Sequence, residues 1–388
     1  MILRTFQYSQ FKGESQEWEM EPLTIGSMTL LVGKNASGKS RTLNVLNGLA
    51  RLLSGASKLT FRSGDYDVVF NEQEEEYRYE LAYKDARVIR ENYSRGATAL
   101  LTRGEGGKGS LVAVKANQPM EFQTPDSELA VVNRRDSIQH PFFERLHAWG
   151  SGVRHFQFGT PLGKDHLSLS MKEKVPPFDA RNTAEVVAVF RRGSTNSGDE
   201  FLKAIIADMN SIGYEITEIG VRPPQSLVIS ADIAVSVGEL VGLYVKERNL
   251  AGITDQIDMS QGMFRALSVI VQLNYAQRSD QPSCILIDDI GEGLDFDRSC
   301  ALIDLLIEKA AQTKVQLIMS TNDRFVMNRV PLQHWAVIHR DGSMCRFFTY
   351  QNSREKFESF KLTGLSNFDF FATDFVRSRL SEEVSNLR

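Results

Sequence analysis

Alternation of apolar and polar positions opens the chain. Ile2–Tyr8, Trp18–Leu23 and Met28–Val32 read as short strands, and the last runs straight into a glycine-rich loop. Behind that loop Leu43, Leu46, Leu49 and Leu53 recur at helical spacing, with Val45 and Leu52 flanking the stripe. That spacing predicts an amphipathic helix to about Leu53. Residues 58–115 return to alternation, clearest in Tyr66–Phe70, Tyr77–Tyr83 and Ala86–Ile89, with glycine-rich turns near Gly104–Gly109. This stretch predicts an antiparallel sheet.

From about Asp136 to Trp149 the period becomes helical again, with Phe142, Phe143, Leu146 and Trp149 on one side. Gly193–Gly198 reads as an exposed loop, followed by a helix from Asp199 to about Met209. Strands are expected around Glu215–Val221, Leu227–Ala234 and Leu240–Val245. The final third alternates strand and helix: Cys284–Ile287 buried strand, Arg298–Ala311 helix, Val315–Met319 buried strand. Trp335–His339 and Met344–Tyr350 flank Asp341-Gly342, a hairpin signal. Such alternation around a glycine loop points to a parallel sheet with helices on its faces. No repeat and no sustained heptads occur, so a long coiled coil is not expected.

A chain of 388 residues, 42% hydrophobic and 24% charged, can bury one or two full cores. Its net charge of −4 argues against a surface that coats nucleic acid generally. The short basic clusters at Arg87–Arg90, Arg134–Arg135 and Arg191–Arg192 read as solvated faces. Cys284, Cys300 and Cys345 form no CxxC pair, and the histidines, His147 and His339 among them, lack metal-ligand spacing. Met1–Phe6 lacks the layout of a signal peptide, and no apolar run approaches the roughly 20 residues of a membrane span. A soluble, cytoplasmic protein without a membrane partner is the expectation.

Gly33-Lys34-Asn35-Ala36-Ser37-Gly38-Lys39-Ser40-Arg41 contains the GxxxxGK[ST] pattern between a predicted strand and a predicted helix. Glycines let the backbone curl so that its N–H groups face phosphates, and the helix N-terminus adds partial positive charge. Lys39 is placed to reach the β- and γ-phosphates of a bound nucleotide, and Ser40 to ligate Mg²⁺. A second oxygen for the metal belongs at the end of a neighbouring buried strand. Cys284-Ile285-Leu286-Ile287-Asp288-Asp289 supplies it, with Asp288 on the metal side and Asp289 where a base orients the attacking water.

Two further segments narrow the class. Met259-Ser260-Gln261-Gly262-Met263-Phe264-Arg265 precedes an apolar helix, and Gly291-Glu292-Gly293-Leu294-Asp295 follows the acidic strand. Ser260-Gln261-Gly262 resembles the signature motif of ABC-type ATPases, and Gly293-Leu294-Asp295 resembles their D-loop, in the same order along the chain. The resemblance is closest to the SMC, RecF and OLD (overcoming lysogenisation defect) ATPases and covers most of the chain. It implies an α/β head: a mixed central sheet, an antiparallel β-subdomain and a helical signature subdomain. It implies further that residues 1–388 form one such head, with approximate lobes 1–130 (P-loop and β-subdomain), 131–275 (inserted and signature subdomain) and 276–388 (acidic-strand and C-terminal lobe). It also implies ATP and Mg²⁺ as ligands, and a homodimer or higher homo-oligomer joined through ATP. In that arrangement Ser260, Gln261, Gly262 and Asp295 of one copy face the nucleotide of the other.

Two departures from the family pattern stand out. Asp289 occupies the usual position of a longer glutamate, and Asn322 in Ser320-Thr321-Asn322-Asp323 that of a switch histidine. Asparagine can hydrogen-bond a γ-phosphate but cannot carry a proton or a charge. Both changes predict slow turnover and a long-lived ATP state. The family's Q-loop glutamine has three candidates here, Gln123, Gln139 and Gln157, and the 219 residues between Ser40 and Ser260 leave room for a folded insert. No Glu-plus-DxD nuclease set follows the last hairpin, so the expected effector is a separate protein. Phe368–Phe371 is either its dock or a buried anchor. DNA, gripped as by a repair clamp resembling RecF, is the alternative partner.

Overall fold

The computed structural model describes residues 1–116, 118–170, 179, 181–226, 239–279, 283–313 and 315–378. The expected strand Leu227–Ala234 lies outside them. Among the described residues one sheet of 14 strands dominates. Its parallel half sets Val153–Gln157, Ser283–Asp288, Val315–Thr321, Met28–Val32 and Trp335–Asp341 side by side in that order. Met344–Thr349 folds back antiparallel on Trp335–Asp341 and pairs with Trp18–Thr24, which pairs with Ile2–Gln10. From there a meander continues through Ser63–Glu72, Glu75–Lys84, Arg87–Arg95, Thr98–Arg103, Lys108–Ala113 and Gln118–Gln123. A small antiparallel sheet of Ser168–Ser170, Glu239–Glu247 and Ile216–Arg222, with Thr254–Asp255 beside it, forms a separate layer.

Continuous apolar runs become the central strands because both of their faces are covered. Ile285 and Ile287 point into one core and Cys284 and Leu286 into another; Leu317 and Met319 part from Ile318 in the same way. The first core collects the helices Val186–Ser211, Gln261–Gln277 and Phe296–Gln312, and the second collects Lys39–Leu53, Pro141–Gly152 and the meander. The leucine stripe of Lys39–Leu53 is buried in that second core as its spacing requires. Pro141–Gly152 packs on Lys39–Leu53 and Val153–Gln157 joins the main sheet, so the chain leaves the central body only after residue 158.

Two boundaries differ from expectation. Gly193–Gly198 is not an extended loop: a helix from Val186 runs through Gly193 and breaks at Gly198, with φ 53° and ψ −138°, before a second helix runs on to Ser211, as expected from Asp199. Val187 and Phe190 before the glycines and Phe201, Ile205 and Met209 after them are all buried, so apolar packing overrides weak helix propensity. Gly193 is small for a packing reason, since a Cβ there would lie 2.4 Å from the Phe201 ring. The helix expected from Asp136 begins at Pro141 instead. Asp136 accepts backbone N–H bonds from Ile138 (2.7 Å) and Gln139 (3.0 Å), which holds a turn, and proline suits the first helical position. Phe370 is fully buried against Trp335, Phe357 and Phe360, so the C-terminal aromatic segment is an anchor.

Candidate functional site

The parallel strands Met28–Val32, Val315–Thr321 and Ser283–Asp288 end at one edge of the sheet, where ligands of open α/β sheets bind. Each delivers a loop there: Gly33–Gly38, Asn322–Asp323 and Asp289–Asp295. The first curls tightly, with Ala36 at φ 60° and Gly38 at φ 111°. At Gly38 the left-handed backbone suits only glycine, and it aims the following helix N-terminus into the loop. Lys39 is 6% exposed; its ammonium donates to the carbonyls of Gly33 (2.7 Å) and Lys34 (3.3 Å), closing the loop on itself. Burial pulls its pKa below the usual lysine range, and the nearby carboxylates of Asp289 and Asp288 oppose that shift.

Next to the loop, the Ser40 hydroxyl donates to Asp288 Oδ1 at 3.1 Å. Ser320, from the strand between them, donates to the same oxygen and accepts the Asp289 N–H at 3.0 Å. Hydroxyl and carboxylate oxygens converging on one point are the donor set Mg²⁺ prefers, so Ser40 and Asp288 fit the metal expected there. Asp289 sits at φ 54°, a conformation aspartate tolerates better than most residues. Its Oδ1 accepts from Asn322 Nδ2 at 3.1 Å. Burial raises its pKa above the ordinary aspartate value, with Asp288 adding to the rise and Lys39 opposing it.

The three candidate glutamines separate cleanly. Gln157 is in register with Asp288 at the end of the adjoining strand, and the next amide, Phe158 N–H, donates to the Asp288 carbonyl at 3.0 Å. Gln123 ends the outermost strand of the meander, and Gln139 lies in the turn before Pro141. Gln157 is therefore the one placed at the site.

Ser260 caps the helix Gln261–Gln277 by accepting the Met263 N–H at 3.2 Å. The helix is clamped onto loops of the same sheet edge. Arg265, 8% exposed, donates to the carbonyls of Thr160 (3.1 Å) and Glu292 (2.9 Å). Gln261 reaches the Thr160 carbonyl at 3.4 Å, and a Cβ on Gly262 would lie 2.5 Å from the Gly293 carbonyl oxygen. Only glycine permits that approach. Asp295 caps the next helix through the Arg298 N–H (2.9 Å) and pairs with the Arg298 side chain (2.6 Å). Among the described residues no hydrogen bond joins Ser260, Gln261 or Gly262 to residues 33–41. The loops that hold the signature segment leave strands two and three places from the P-loop strand, roughly 10–15 Å away at normal strand spacing.

Beyond the phosphate loop, the Arg41 guanidinium lies 4.0 Å from the centre of the Trp18 ring and donates to Gln10 Oε1 at 3.0 Å. Gln10 and Trp18 are partners across adjacent strands, which is why they meet Arg41. Sequence reasoning quoted Arg41 but missed Gln10 and Trp18, since nothing local marks a strand pairing. It also passed over Ser320 and the clamp made by Arg265, whose partners are backbone carbonyls and leave no trace in side-chain identity.

Phosphate loop, interposed strand and acidic strand, with a signature helix on the adjoining loops, define a P-loop ATPase head of the ABC class. Residues 28–328 match the family described as "AAA domain, putative AbiEii toxin, Type IV TA system", and the chain belongs to it. No curated protein matches the chain. Among solved structures it is similar to an SMC head bound to the C-terminal winged-helix domain of ScpA. The identity is 11% and the TM-score 0.53, over 92% of this chain and all (100%) of that one. It is also similar to the SMC head of Pyrococcus furiosus with an extended coiled coil, bound to the C-terminal domain of ScpA. There the identity is 10% and the TM-score 0.50, over 93% of this chain and 99% of the other. At such identities the likeness is one of fold. No helix among the described residues is long and apolar enough to cross a membrane.

Proposed function

We propose that the protein is an ATP-driven switch: two copies close on ATP, hydrolyse it slowly, and govern a separate effector protein in defence against phage. The observation that carries this reading is the separation between a complete phosphate cradle and a signature helix capped on the same sheet edge but out of its reach. A second copy, related by two-fold symmetry, supplies the missing half twice over. ATP binds with its phosphates in the Gly33–Ser40 loop, Lys39 releasing the loop carbonyls to meet them. Arg41 and Trp18 flank the nucleoside end. Ser40 and Asp288 would hold Mg²⁺, which would supply positive charge against the phosphates. Asp289 orients the attacking water, while Gln157 and Asn322 bracket it. Ser260 and Gly262 of the facing copy present hydroxyl and N–H groups to the γ-phosphate.

Slow turnover follows from the shortened Asp289 and from its engagement with Asn322, which holds a non-ionising amide where a histidine would carry charge. Phosphate release tests it: we expect fewer than about one turnover per second, against a typical enzyme's roughly ten. Turnover on the order of tens per second would sink the slow-switch reading. Retention on duplex DNA that weakens steeply with salt would favour a DNA clamp instead.

A further inference from the structure

Phe296 and Phe325 are 54% and 36% exposed, yet their rings pack edge to face with centroids 4.7 Å apart. Phe296 opens the helix behind Asp295, and Phe325 lies three residues beyond Asn322. The pair thus bridges, on the outside, two loops of the candidate site. Glu292 and Asp297 beside it are exposed and have no ion pair among the described residues, while Arg298 is already paired with Asp295. Arg324 lies over the Phe325 ring, 4.7 Å from its centre, so the free acids stand on the Phe296 side of the patch. An exposed aromatic pair flanked by free acids on a catalytic edge is a docking feature. Its complement is present on the same chain. A groove between the exposed crown of the phosphate loop and the C-terminal segment is lined by Ala36, Val337, Phe371 and Val376, with the one acid in its wall, Asp374, already paired with Arg377 at 3.0 Å. On its rim stand Lys34 and Arg340, both exposed and without an ion pair among the described residues.

We propose that the Phe296–Phe325 pair of one copy seats in this groove of a second copy, with Glu292 and Asp297 facing Lys34 and Arg340. The inference rests on the ATP-sandwich reading and deepens it: the contact lies beside the nucleotide and repeats twice under two-fold symmetry. Two apolar anchors with matched charges set partner and register, as the charge complementarity of a specific interface does. They also link closure to the site. Seating Phe325 fixes the loop of Asn322, and the groove's own wall is the phosphate loop.

Cross-linking tests the placement. In a Cys300→Ser background, chosen because Cys284 and Cys345 are buried, Phe296→Cys protein is mixed with Arg340→Cys protein and treated with a bismaleimide. We expect a covalent heterodimer with ATP-Mg²⁺ and none when both carry Lys39→Ala. Separately, Phe296→Ser raises the dimer dissociation constant at least about tenfold while leaving ATP affinity within about twofold. Asp297→Lys weakens dimers and mixing with Arg340→Glu protein restores them. If wild type forms ATP-dependent dimers but no cross-link appears, or if Phe296→Ser dimerises as wild type does, this contact is wrong and the sandwich stands. A wild type that stays monomeric with ATP-Mg²⁺ overturns both.

Discussion

Arg265→Met isolates the clamp between the signature helix and the loops of the nucleotide edge. The substitution keeps most of the side-chain stem, so packing changes little, but it deletes the bonds to Thr160 O (3.1 Å) and Glu292 O (2.9 Å). Hydrogen bonds from a charged donor contribute about 1.5–3 kcal/mol each when buried. Thr160 and Glu292 are exposed residues, so water can satisfy part of what is lost. A total of about 2 kcal/mol follows. At an unfolding entropy of about 2.1 cal/mol/K per residue over 388 residues, the melting temperature should fall by about 2–3 °C. ATP binding to the monomer should survive, because Lys39 and Ser40 are untouched. ATP-dependent dimerisation should drop about tenfold or more, because Ser260 is no longer held in register with Gly293. Calorimetry and sedimentation read the two effects separately. A variant that melts within 1 °C of wild type and dimerises equally well would refute the clamp.

Lys39→Ala should abolish ATP binding, measured by titration calorimetry; equal affinity in variant and wild type would remove the site assignment. Asp289→Asn should keep ATP binding, lose phosphate release and hold the closed dimer, and free dissociation on size-exclusion chromatography would count against it. The same variant should be marginally more stable at neutral pH. The raised folded-state pKa means that ionising Asp289 costs stability. That cost is absent below the unfolded value and fully present above the folded one, so the gain should vanish in acid, as melts across pH 3–8 would show. Hydrolysis by wild type should fail on the acid side at a pH above the ordinary aspartate range, since Asp289 acts as its anion. Asn322→His should speed turnover severalfold, and an unchanged rate would detach Asn322 from the slow step.

The sequence made the P-loop, the acidic strand and most of the central sheet legible because each is local: glycine spacing, one apolar run, two acids. Cys284–Ile287 extended by one residue at each end into Ser283–Asp288, and Met28–Val32 matched without change. The resemblance to SMC and related heads carried the fold class, which the long sheet and small antiparallel layer bear out. What escaped was set by distant partners. Gln157 could be chosen from three glutamines only once its strand lay beside Asp288. The glycines of 193–198 looked like a loop because Phe201, against which Gly193 packs, is eight residues away. Trp18 and Gln10 acquire meaning only by facing each other across two strands.

The most direct test of the sandwich is the solution mass of Asp289→Asn protein, with and without ATP-Mg²⁺, alone and combined with Ser260→Arg. The account predicts a monomer without nucleotide, a dimer or a multiple of it with ATP, and a return to monomer when Ser260 is replaced. A mass indifferent to ATP, or a dimer unmoved by Ser260→Arg, would contradict it.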